Sequence, residues 1–244
     1  MQGRRVFVVR TESPAHPEST EPSPTAGSTP SAESANGARA AAERAYEHVK
    51  RAIIHGDLPG GESVSENALC RELGLSRTPM HEAFLRLAAE DLLTLEARRG
   101  AVVRPMSPRE ASDVLEMREA IESSAASRVI ADGAAQDVAG LLEDLLAEQE
   151  AAIDAGDLPE FIEADSRFHA AVVEGSGNAI ALMFSRTLRD RQQRLRHQLM
   201  RVRPDQLQAS LDHHRQLAAA LAEGDAERYA QVLREHIASH RGAL

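Results

Sequence analysis

Apolar positions recur at helical spacing from Ala40 onward, where Tyr46, Val49 and Ile53 fall on one face and His55-Gly56 ends the run. After the turn Asp57-Leu58-Pro59-Gly60-Gly61, Ser65 is placed to cap a second, short helix with Leu69 and Leu73 inward and Gly74 as its stop. Ser76 is placed to cap a third, in which Met80, Phe84 and Leu87 make one stripe and Pro79 is tolerated because it lies in the first turn. Arg77 and His81, four apart, lie away from that stripe. The period then changes: Leu92-Leu93-Thr94-Leu95 and Ala101-Val102-Val103-Arg104 read as two short strands about a polar turn.

Beyond Pro105 the pattern is helical throughout. Ser107-Pro108-Arg109-Glu110 has a capping residue, a proline at the first helical position and a glutamate that can reach back. The spacing predicts helices over about 108–131, 135–155, 158–174, 178–202, 205–222 and 226–240, divided by Gly133, Gly156, Gly175-Ser176-Gly177, Pro204 and Gly224. No fixed-period repeat is present, so an antiparallel bundle is expected rather than a solenoid. The segment from Thr11 to Gly37 is built from Pro, Ser, Thr, Glu, Ala and Gly with no apolar period, and is expected to be disordered. The division is therefore a tail over 1–38, a small helical unit with a hairpin over 39–105, and an all-helical unit over 106–244. The fold class is mainly α.

Composition narrows the function classes. Aromatic residues make up 3% of the 244 and tryptophan is absent, which argues against an all-β sandwich. The formal net charge is −10, so any nucleic-acid contact must come from a local patch and not from a basic field over the whole chain. The single Cys70 excludes an internal disulfide framework and a thiolate metal cluster. The apolar stretch Val6-Phe7-Val8-Val9 is too short for a membrane span or a signal-peptide core, so a cytoplasmic protein with no membrane partner is expected.

Two helices joined by a tight glycine turn, the second opening on small and basic residues, can bring a helix N-terminus to the DNA major groove. Arg77 suits a bidentate guanine contact, Thr78 a phosphate or a thymine methyl, and Arg98 and Arg99 of the hairpin turn the backbone or minor groove. On spacing alone, a three-helix packing unit with solvated arginines fits equally well. The runs Asp57-Leu58-Pro59-Gly60-Gly61, Leu75-Ser76-Arg77-Thr78-Pro79-Met80-His81-Glu82-Ala83 and Arg98-Arg99-Gly100-Ala101-Val102-Val103 resemble the GntR family of bacterial regulators in order and spacing. The resemblance implies a winged helix-turn-helix of three helices plus a β-hairpin wing, acting as a dimer on a palindromic double-stranded DNA operator. It turns Arg77 and Thr78 toward DNA and, more weakly, Gly100 of the wing; Arg71 belongs to the same candidate surface. The sequence departs from the family pattern at two further contact positions, with His81 where arginine is usual and Asn67 where some members carry arginine.

Asp165 and His169 are neighbours on one helix face, as two ligands to one ion would be, although a purely structural pair has the same spacing. Asp212-His213-His214-Arg215-Gln216-Leu217, Gly224-Asp225 and Arg234-Glu235-His236-Ile237 resemble the closing helices of the FCD domain of one GntR subfamily. That resemblance implies one divalent ion per chain, held by Asp165, His169, His214 and His236 beneath an effector cavity. Carboxylate and imidazole donors suit Zn, Ni, Mn or Fe without choosing among them. It further implies a small-molecule effector, a carboxylic acid, paired by Arg118; the alternative for Arg118 is an i,i+4 surface pair with Glu122. The arginines at 186, 189, 191, 194 and 196 read as a solvated helix face or a dimer contact. A metal-dependent hydrolase is the rival class, but no general base or nucleophile motif accompanies the ligands. The expected function is a non-enzymatic, homodimeric repressor released by its effector.

Overall fold

The computed structural model describes residues 32–96, 100–202 and 206–241. The N-terminal unit comprises α1 (Ala32–Ile54), β1 (Ser63–Val64), α2 (Glu66–Leu73), α3 (Arg77–Ala89), β2 (Leu93–Glu96) and β3 (Gly100–Val103). The bundle comprises α4 (Pro108–Ala131), α5 (Ala135–Ala155), α6 (Leu158–Gly175), α7 (Ala179–Val202), α8 (Gln206–Ala222) and α9 (Ala226–Arg241).

In the N-terminal unit the stripes anticipated from spacing close on one another. Tyr46, Val49 and Ile53 of α1 meet Met80, Phe84 and Leu87 of α3, with Leu93, Ala101 and Val103 of the strands sealing one side. Ser65 accepts from the Ala68 amide and Gly74 ends α2 in the left-handed region, as expected. Ser76 stands at the N-cap of α3 with extended backbone, yet its side chain makes no capping bond. Two features of this unit depart from the sequence reading. First, α1 begins at Ala32, so residues 32–38 of the expected tail are helical; Ala32, Ala35, Ala38 and Ala40 to Ala42 supply the propensity to extend a helix already anchored by Tyr46 and Val49. Second, the wing has a third strand, in the order β1-β3-β2, with Ser63 opposite Val102 and Leu93 opposite Val103, all antiparallel. The flanking Gly61 and Glu62 extend that pairing, Gly61 donating to the Val103 carbonyl at 2.8 Å and Val103 donating to the Glu62 carbonyl at 2.9 Å. Arg98 and Arg99 lie outside the described residues.

In the bundle, Ser107 accepts from the Glu110 amide at 3.1 Å and Pro108 opens α4. Asp157 caps α6, and Gly156 closes α5 in the left-handed region. Val129, Leu142, Phe168, Leu217, Tyr229 and Leu233, each fully buried, form the centre of the core. Among the described residues, no helix is long and apolar enough to cross a membrane.

The two units meet along α1 and α7. Lys50 bridges Asp190 of α7 at 2.6 Å and Glu90 at 3.1 Å. The rings of His55 and His197 stack at 4.6 Å and Arg194 donates to the Arg104 carbonyl, while within the bundle Arg191 lies 3.8 Å from Glu110. The arginine series on α7 is therefore a solvated face only in part: Arg186 and Arg189 are exposed, Arg189 pairing with Glu163, while Arg194 and Arg196 are buried.

Gly100 opens β3 at φ +89°, and a Cβ there would stand 2.9 Å from the Val64 carbonyl oxygen. Gly100→Ala is expected to cost about 1–3 kcal/mol of stability through backbone strain and loss of the β1–β3 contact. Chemical denaturation of the full chain, followed by circular dichroism, reads that loss.

Candidate functional site

Helix α6 offers Asp165 and His169 one turn apart, α8 offers His214, and α9 offers His236. All four are buried, and one donor atom from each lies within 4.8 Å of the others. The Nε2 atoms of His169 and His214 face each other at 3.2 Å, and His214 Nε2 is 3.4 Å from Asp165 Oδ1. Sequence spacing joins only the first two of these residues; the fold brings in the other two.

The outer nitrogens of two imidazoles are held from behind. His169 Nδ1 is 2.7 Å from Glu122 Oε2, and His214 Nδ1 is 2.6 Å from Gln149 Oε1. Carboxylate and amide oxygens only accept, so both Nδ1 atoms donate and both Nε2 lone pairs point into the cluster. Phe168 stacks on His214 at 4.8 Å and restricts its ring further. Three imidazoles and one carboxylate, converging on a common point with two of the ring tautomers set, fit a divalent cation of the first transition row.

Glu122 also accepts from Arg118 Nε at 2.8 Å, with both side chains almost fully buried. Burial alone would raise the Glu122 carboxyl, but the charges and hydrogen bonds of His169 and Arg118 overcome it and hold its pKa at about 2. Burial pushes His169 down, reinforced by the Arg118 charge and opposed by Glu122. Arg118 pairs with Glu122 as its i,i+4 spacing allows, but inside the bundle and not at the surface. Its Nη2 has no hydrogen-bond partner among the described residues and is buried. Arg196 of α7 pairs with Asp165, and burial, aided by the Arg118 charge, pushes its pKa well below the usual guanidinium range. Arg118, Asp165, His169, Gln192 and Arg196 surround a void of about 10 Å³, room for one water. Glu122 was visible in the sequence only as a partner for Arg118. Gln149 and Arg196 carried no sequence signal for this site, since one sits in an ordinary amphipathic helix and the other in a basic run.

The candidate DNA-facing residues lie on the N-terminal unit. Arg77, Thr78 and His81 are exposed on α3, and Asn67 and Arg71 on α2, where Arg71 donates to the Asn67 carbonyl at 3.3 Å. His81 Nδ1 lies 3.1 Å from Glu66 Oε1, which ties the exposed sides of the two helices together. Gly100 marks the start of the returning wing strand. On α7, Ile180, Met183 and Phe184 are at least half exposed and share one helix face.

Comparison with known proteins agrees with this architecture. Residues 41–103 match the family described as bacterial regulatory proteins, gntR family, and residues 113–239 match the FCD domain. The chain is 30% identical over 199 residues to the HTH-type transcriptional repressor GlaR of Escherichia coli (strain K12), spanning 79% of this chain and 90% of that protein. It is 31% identical over 191 residues to the probable D-xylose utilization operon transcriptional repressor of Paenarthrobacter nicotinovorans, spanning 77% and 81%. Among solved structures, E. coli McbR/YncC shares the fold with a TM-score of 0.67 at 23% identity, covering 82% of this chain and 94% of that one. A gntR-type reading unit followed by an FCD bundle is a regulator's architecture and not an enzyme's. The chain belongs to the gntR family of bacterial regulatory proteins and is a DNA-binding transcriptional regulator with a C-terminal FCD domain.

Proposed function

We propose that the chain is a homodimeric repressor that binds a palindromic operator through α3 and the wing, and leaves it when a small organic acid enters the bundle above a divalent metal ion. The observation that carries this reading is the convergence of Asp165, His169, His214 and His236, with Glu122 and Gln149 orienting two of the rings. A bound ion would supply positive charge and open coordination positions for a carboxylate. The chain's own residues supply the rest. Arg118 holds its unpartnered, buried Nη2 beside the same void, a donor suited to an acid group. Arg196, which closes that void against Asp165, has to turn aside to admit an organic acid.

Helix α7 supports the link to DNA. It carries Arg196 toward the cavity and Asp190, Arg194 and His197 against the reading unit. A displacement of Arg196 is thereby passed along one rigid helix to Lys50, Arg104 and His55. A difference of about 1–3 kcal/mol in effector affinity between the two states suffices for control. The exposed face Ile180, Met183 and Phe184 suits burial against a second copy, whose two-fold axis the operator would mirror. Repression, not activation, is favoured by the names of the two relatives described above.

Protein purified without chelator or nickel resin is expected to hold one divalent ion per chain by elemental analysis, and to lose it in His214→Ala; metal-free wild type would overturn the metal reading. Glu122→Gln should weaken that metal by about 10–100-fold, because His169 loses the carboxylate that fixes its ring. Arg77→Ala should cost about 1–3 kcal/mol of operator binding and relax one base position. Unchanged affinity in a titration at fixed salt would rule out a direct contact by Arg77.

A further inference from the structure

His81 is the most exposed polar group on α3 with a side-chain partner of its own, and that partner is acidic. Its ring lies 3.1 Å through Nδ1 from Glu66 Oε1, with side-chain exposures of 56% and 27%. Glu66 is the first residue of α2, directly after the Ser65 cap, where the helix dipole favours a carboxylate. His81 stands one turn beyond Arg77, so both side chains leave α3 on the same exposed side. An acidic group here would repel the DNA phosphates if it faced them unpaired; its contact with the ring gives it a different task.

We propose that Glu66 fixes the tautomer of His81, so that Nε2 is presented to the major groove as an acceptor and selects the exocyclic amino group of adenine or cytosine. The step from contact to base preference is one of donor and acceptor inventory. A carboxylate only accepts, so Nδ1 must donate to Glu66; in a neutral imidazole the remaining nitrogen then carries the lone pair. The major-groove edge offers two donors, the N6 amino group of adenine and the N4 amino group of cytosine, whereas guanine N7 and O6 and thymine O4 accept. An arginine at this position could only donate and would read guanine instead. The identity of residue 81 together with its partner thus inverts the polarity of one base contact. The inference rests on the reading of α3 as the DNA-facing helix.

The test uses the full-length protein at pH 8 and at fixed salt. Selection from randomised duplexes with wild type and His81→Ala identifies the base pair whose preference depends on residue 81. At that pair, replacing adenine by purine, or cytosine by 2-pyrimidinone, deletes the amino group and nothing else on that edge. Wild type should lose at least about fivefold in affinity, and His81→Ala nothing. Substitution of 7-deazaadenine or 7-deazaguanine in that pair, which removes the N7 acceptor and keeps every amino group, should leave wild type unaffected and weaken His81→Arg. Glu66→Ala, which removes the acceptor that faces Nδ1, should weaken the sensitivity to amino deletion. Sensitivity to the 7-deaza bases in place of amino deletion, no base pair responding to His81→Ala, or full retention in Glu66→Ala would each overturn the proposal while DNA binding stands. No enriched duplex with wild type, together with indifference to Arg77→Ala, would instead remove the DNA-facing reading and this proposal with it.

Discussion

The bundle is organised around one electrostatic constraint: around a single cluster it buries Arg118, Arg196, Glu122, Asp165 and the imidazoles of His169, His214 and His236. Each uncompensated charge there would cost several kcal/mol. Glu122 resolves much of the conflict by accepting from Arg118 and His169 together, with its own pKa held at about 2. That position fixes where the Arg118 side chain lies and which nitrogen of His169 points inward. Asp165 and Arg196 form the second compensated pair. Apolar residues of equal volume would commonly serve stability as well or better than such a cluster. Its presence at the centre of an otherwise aliphatic core therefore reflects a demand other than folding.

That constraint also explains why α7 is the member that joins the two units. A helix with a polar side turned into the bundle has no need to present its remaining charges to solvent. Asp190, Arg194 and His197 instead meet Lys50, the Arg104 carbonyl and His55 of the other unit. Lys50 in turn donates to Tyr46, which with Glu90 closes a small polar knot beside the core of the reading unit. The contacts at the junction are polar and few, so the two units are coupled without being fused into a single core.

Much of this was legible in the sequence, and the reasons differ from place to place. Ser65, Ser107, Gly74 and Gly156 mark helix ends through local chemistry, and local chemistry survives folding. The inward residues of α1 and α3 were readable because one period runs through both. Strand β1 was not, since two residues cannot display an alternation; Ser63 and Val64 pair only because Gly61 and Glu62 bring them beside β3. The ligand set was half legible: Asp165 and His169 share a helix turn, whereas His214 and His236 join them only through tertiary packing, and family resemblance alone pointed to them. Gln149 and Arg196 were silent because their role depends on what faces them across the bundle. The pair Arg118 and Glu122 shows the limit most plainly, since i,i+4 spacing states that two residues meet and says nothing about whether water does.

Net charge connects the two ends of the molecule. With a formal charge of −10, the chain as a whole is repelled by DNA, and sequence-independent attraction has to come from a small surface around α2, α3 and the wing. The arginines of α7 add little to it, because most of them are engaged with Asp165, Glu110, Glu163 and the Arg104 carbonyl. A weak background makes base contacts carry a larger share of operator affinity. In the proposed dimer the spacing of two reading units would carry part of it as well, and control by geometry would be efficient. Loss of alignment would leave no strong non-specific hold to overcome, so a coupling energy of about 1–3 kcal/mol, five- to 150-fold in affinity, would be enough to move the protein off its site.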